Sequence, residues 1–120
     1  MNLSQIIKTL VSEIKLSEIQ AKIFLHVVIN GKMNTSKISN DLKISLDDAI
    51  QNSKKLVELG GFIDMPNDEF EAMHPRFTAV NMYRKMCERE QKEFKKNLNV
   101  DNIGVALETS YDDARTKYNK

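Results

Sequence analysis

The sequence predicts a mainly α fold with a small β-hairpin, and three observations carry that expectation. Apolar residues recur at three- and four-residue spacing over most of the 120 residues, only 4 Gly and 2 Pro interrupt them, and one stretch, Phe62 to Met73, alternates instead about a Pro-Asn-Asp turn. With 41% hydrophobic and 29% charged residues, the chain suits one modest core with an appended helix.

Leu3, Ile6, Ile7, Leu10, Val11 and Ile14 set a first amphipathic helix over residues 3–15. Ser17 caps a second, with Gln20 at the capping-box position, Ile19, Ile23, Phe24, Leu25, Val27 and Val28 along it, and Asn30-Gly31 at its end. This most apolar helix is the expected centre of the core. His26 within it reads as a packed or rim residue rather than a ligand or base. Asn34 or Thr35 caps a third, short helix carrying Ile38 and Leu42, which stops at Lys43. Ser45 caps a fourth, with Asp47 and Asp48 in its first turn, where carboxylates complement the free N–H groups. Leu46, Ala49, Ser53, Leu56 and Val57 form its inward stripe, and Gly60 is placed for a left-handed C-cap.

Two helices joined by a tight turn and followed through glycine by a hairpin make the winged helix-turn-helix pattern; the competing reading is an ordinary αα-hairpin in a small bundle. The hairpin tip offers Asn67, Asp68 and Glu69, where a groove-gripping wing carries Arg or Lys. His74-Pro75 ends the hairpin. Arg76 to Asn97 then reads as one long helix, with Val80, Tyr83, Cys87, Phe94 and Leu98 near heptad spacing as a dimerisation seam. The alternative is that this helix folds back on the first. A last helix starts at Asp101 with Ile103, Leu107, Tyr111, Ala114 and Tyr118 on one side. The chain divides accordingly into a winged helix-turn-helix domain, 1–75, and a helical C-terminal extension, 76–120.

The net charge of +1 hides an uneven distribution. Residues 1–75 hold 8 Lys against 10 Asp or Glu, residues 76–98 hold 7 basic against 3 acidic, and residues 34–73, the part that should face DNA, hold 4 Lys against 8 acids. Phosphate contacts dominate nucleic-acid affinity, so this acidity weighs against tight DNA binding and for a protein partner at the same face.

Several function classes find no residues to support them. The chain has no Gly-rich phosphate loop, no His-Glu-x-x-His pair and no Cys-x-x-Cys, and its adjacent acids sit early in helices, where capping suffices. A noncatalytic protein without cofactor or metal is expected. The single cysteine, Cys87, permits no internal disulfide and forms no zinc set with the isolated His26 and His74. No apolar run is long enough to span a bilayer and the N-terminus lacks a signal pattern, so no membrane association and a cytoplasmic location are expected.

Leu16-Ser17-Glu18 with Ala21, Lys37-Ile38-Ser39 through Ile44-Ser45, and Phe70-Glu71-Ala72-Met73-His74-Pro75 occur in an order and spacing that resembles the TrmB-type family of archaeal winged-helix transcription regulators. The similarity runs over roughly residues 3–98 and fits the small, single-domain members. It implies a homodimer that binds double-stranded DNA with the second helix of the motif in the major groove. Carried onto this chain, the DNA-facing positions are Ser45, Asp47, Asp48, Gln51, Asn52, Lys54 and Lys55, with Thr35, Ser36 and Lys37 near a phosphate and Asn67 at the wing. Gln51 and Asn52 suit bidentate adenine contacts. The chain departs from the family at Asp47 and Asp48, where Arg, Lys or small polar residues are usual, at Ser53, where a large apolar residue packs, and at Gly61, which replaces a bulky residue and should loosen the wing.

Overall fold

Side-chain caps set the starts of the first four helices. Asn2 and Ser17 close reciprocal capping boxes with Gln5 and Gln20 on α1 (Leu3–Glu13) and α2 (Glu18–Asn30). The Asn34 side chain accepts from the Lys37 N–H at 2.8 Å to start α3 (Thr35–Leu42), and Ser45 Oγ accepts from the Asp48 N–H at 3.0 Å to start α4 (Leu46–Leu59). Between these two helices Lys43 turns the chain in the left-handed region, and the Ser39 hydroxyl donates to the Ile44 carbonyl at 2.7 Å. Gly60, at φ +91°, ends α4. The computed structural model describes the backbone of residues 1–118 and the side chains of residues 1–116.

A hairpin follows, with β2 (Ile63–Met65) and β3 (Glu69–Glu71) joined by a turn in which Asn67 and Asp68 are both left-handed. A further strand, β1 (Met33–Asn34), pairs with β3 and gives a three-stranded antiparallel sheet in the order β1-β3-β2. Phe70 on the central strand is buried, its ring 6.0 Å from Phe62, which in turn stacks at 6.1 Å on Phe24 of α2. Gly61 is buried against Met82: a Cβ there would sit 2.8 Å from Met82 Sδ, so a side chain at this position would require the Met82 side chain to shift.

The largest departure from the sequence reading lies beyond residue 75. Arg76 to Asn97 is not one helix: α5 (Pro75–Arg89) ends, the chain reverses through residues 90–97, and α6 (Leu98–Tyr118) runs back across α5, α2 and α1. Gln91 takes a left-handed φ, the Lys92 N–H closes on the Cys87 carbonyl at 2.9 Å, and the Asn97 side chain caps α6 by accepting from the Asn99 and Val100 N–H groups. The new helix thus starts three residues before Asp101. It inserts Val100, Ile103, Leu107 and Tyr111 into the same core as Ile6, Leu10, Phe24, Ile38 and Leu56, so one core spans residue 75. Of the other stripe residues, Ala114 is half-buried and the Tyr118 side chain lies outside the described residues. Gly104 permits the α5–α6 approach, since a Cβ there would fall 2.5 Å from Arg76 Cα.

This reversal redistributes the expected seam. Val80 and Tyr83 pack on the core, Cys87 is buried, and Phe94 lies over Tyr83 with ring centroids 5.9 Å apart, while Leu98 is 66% exposed. Because the chain turns between Cys87 and Phe94, the five residues form no continuous outward stripe. Leu46 also differs from expectation: at the first position of α4, ahead of the packed Ala49, it is exposed, and Leu59 is buried at the other end. No helix among the described residues is long and apolar enough to cross a membrane.

Candidate nucleic-acid interface on the third and fourth helices

Helix α4 buries Ala49, Ser53 and Leu56, which leaves its opposite face to solvent. Asp47, Asp48, Gln51, Lys54 and Lys55 are exposed there, Asn52 is half-buried, and Ser45 stands exposed at the cap. These residues therefore share an accessible surface, with Leu46 beside them. Behind them Ser53 is completely buried and its hydroxyl has no hydrogen-bond partner among the described residues.

Internal bonds engage most of the polar groups on this surface. Gln51 Nε2 donates to both oxygens of Asp47, at 3.2 and 3.1 Å, one helical turn away. Asn52 Nδ2 donates to the Asp48 carbonyl at 2.8 Å, while its Oδ1 accepts from Gln20 Nε2 at 3.4 Å. Lys55 pairs with Glu58 at 3.2 Å. Lys54 is the cation of α4 without a carboxylate partner among the described residues.

On α3, Ser36 and Lys37 are exposed but Thr35 is only 6% exposed. Its expected place beside a phosphate is therefore corrected: Thr35 follows β1 directly and turns into the core. Lys37 reaches Asp41 at 3.2 Å, and Asp41 also meets His26 Nε2 at 2.8 Å. Asn30 Nδ2 lies 3.2 Å from His26 Nδ1, so Nδ1 is the acceptor and Nε2–H donates to Asp41. The His26 hydrogen bond first, and then Lys37, hold the Asp41 carboxyl below its ordinary pKa. His26 is thus not isolated; it ties α2 to α3. The sequence shows Lys37 and Asp41 as an i, i+4 pair but gives no sign of a partner fifteen residues upstream.

Asn67 stands exposed at the hairpin tip beside Asp68, with no cation at the tip itself. His74 is likewise partnered, with Nε2 3.6 Å from Glu108. Together with Asp112 these two side chains bring potential ligand atoms within 4.8 Å of one another. The ring is already committed, however. Its Nδ1 accepts from the Arg76 N–H at 3.1 Å, which leaves the proton of the neutral imidazole on Nε2, facing the carboxylate, and the Arg76 guanidinium sits 3.8 Å from the same Glu108 oxygen. His74, Arg76 and Glu108 thus form an N-cap and ion-pair cluster joining α5 to α6. No family model, no curated protein and no solved structure matches the chain.

Proposed function

We propose that the chain is a noncatalytic, DNA-binding transcription regulator of the winged helix-turn-helix class, acting in the cytoplasm as a homodimer. The observation that carries this reading is the succession α2, β1, α3, α4, β2, β3, with a tight left-handed turn between α3 and α4 and a hairpin leaving α4. In that arrangement α4 is the reading helix, the exposed Gln51 and Lys54 face the major groove, and the β2–β3 hairpin lies against the backbone as the wing. Asp47 acts as a gate on Gln51: the amide leaves the carboxylate to make a bidentate adenine contact. Phe94 and Leu98, exposed after the chain reversal, are the seam residues left to a second copy.

A specific observation favours a second reading, in which the same face docks a basic protein. Asp47 and Asp48 lie exposed beside Leu46, which is 47% exposed, and the hairpin tip adds Asp68. An apolar residue beside two acids suits a basic, partly apolar protein surface better than a phosphate backbone.

Fluorescence anisotropy with random-sequence and promoter duplexes, from about 50 to 200 mM salt, tests the first reading. A salt-dependent affinity that is tighter for one duplex is expected. Changing Asp47 and Asp48 to Asn should tighten binding about tenfold, since each exposed charge contributes about 0.5–1 kcal/mol. Absence of binding at every salt concentration, for both the native chain and the double variant, would sink it and leave the docking reading.

A further inference from the structure

A cavity of about 190 Å³ opens where the end of α2, the exit of β3 and the last turns of α6 meet. Val27, Val28, Ala72 and Ala114 form its apolar walls, and Gly31, at φ +91°, carries the chain past it without a side chain. Four polar side chains line it, Arg115, Tyr111, Glu71 and Lys32, and of these Lys32 already has a partner of its own. Arg115 donates one bond, at 3.0 Å, to the Tyr111 hydroxyl, and its other guanidinium donors have no partner among the described residues. Glu71, half-buried on β3, has no hydrogen bond or ion pair from its carboxylate among the described residues. Both line the cavity, yet no ion pair joins them.

Two opposite charges that face one cavity without meeting are complementary to a ligand carrying both charges. We propose that this cavity binds a small aliphatic α-amino acid, its carboxylate held by Arg115 and the Tyr111 hydroxyl, its ammonium by Glu71, and its side chain against Val27, Val28 and Ala114. The Arg115 fork matches a carboxylate, and a half-buried carboxylate gains most from a partner that restores its lost hydration. Glu71 opposes a dicarboxylate, and the cation opposite it opposes a simple amine. Size narrows the class further. A dry cavity of about 150 Å³ holds benzene, so this one suits about eight heavy atoms, the size of valine.

The ligand would bridge α6 to the central strand of the sheet, and so reach the hairpin through β3. Its binding stands independently of whether α4 reads DNA. The test is isothermal titration calorimetry of the full chain with L-valine, L-alanine and L-leucine, beside valinamide, which lacks the carboxylate, and N-acetylvaline, which lacks the ammonium. Saturable binding of valine is expected, with each analogue and each of the variants Glu71→Gln and Arg115→Gln weakened about tenfold to a hundredfold, the loss typical of a deleted charged hydrogen bond. Ala114→Leu, which fills the cavity and keeps every charge, should abolish binding while the circular dichroism spectrum stays native. No heat with any of the three amino acids at millimolar concentration would overturn the proposal. So would N-acetylvaline binding as tightly as valine, or valine binding unchanged in Ala114→Leu.

Discussion

Asp41 sits where α3 meets α2 and takes a proton donor from each, His26 Nε2–H at 2.8 Å and Lys37 at 3.2 Å. Those contacts hold its carboxyl below the ordinary value, so the ionised form is favoured in the folded chain. The stabilisation is complete above the unfolded carboxylate pKa of about 3.9 and is lost as pH falls through the lower folded value. Asp41→Asn should therefore lower the urea midpoint at about pH 5, and the gap to the native chain should close as pH drops toward 2. A gap of constant size over that range would mean that packing, not ionisation, sets the difference. At this scale the sequence shows which residues are exposed polar candidates but not their partners. Gln51 on Asp47 is legible as an i, i+4 pair, whereas the burial of Thr35 and the His26–Asp41 contact depend on how separate helices cross.

Helix α6 approaches α5 most closely at Gly104, and there two effects compete. Alanine is favoured over glycine inside a helix by about 1 kcal/mol. Against this, a Cβ would fall 2.5 Å from Arg76 Cα and 3.0 Å from its backbone nitrogen, and backbone cannot swing aside. Overpacking costs about 1–3 kcal/mol, so Gly104→Ala should destabilise the chain, measured as a fall in the urea midpoint at constant slope. A rise instead would show that the two helices separate freely. The first four helices and the hairpin are legible in the sequence because their caps and periodicity are local: Ser17 with Gln20, Ser45 before Asp47 and Asp48, Gly60 after Leu59. The break after Arg89 is not. Glu90-Gln91-Lys92-Glu93 are good helix formers, and local preference favours continuation. The chain leaves α5 through a left-handed Gln91 and the Lys92 N–H on the Cys87 carbonyl, and the start of α6 is then tied to α1 by the bonds from Asn97 and Asn99 to Glu13, 84 and 86 positions away. β1, two residues long, has no pattern to read.

For the whole molecule, the placement of apolar surface bears on assembly. Leu98 and Phe94 are 66% and 49% exposed, although Val80, Tyr83 and Cys87 are turned inward. In the homodimer reading, light scattering should return twice the 13.8 kDa chain mass, and Leu98→Glu should weaken association at least about tenfold by burying a charge, with the circular dichroism spectrum unchanged. A native chain that remains at 13.8 kDa at about 100 μM would refute the dimer. The overall class, mainly helical with a small antiparallel sheet, was legible from composition and periodicity, while the single core running through α6 was not, because a helix's apolar stripe does not say which neighbour it covers.

The return of α6 also imposes an order of events on the growing polypeptide. Ile103, Leu107 and Tyr111 complete a core whose other walls, from Ile6 to Phe70, are made first. At about 5–20 residues per second, the interval between Pro75 and Tyr111 lasts roughly two to seven seconds. Throughout it, the nascent chain displays the apolar surface that α6 will cover, and that surface is open to holdase chaperones or to misassociation between neighbouring nascent chains.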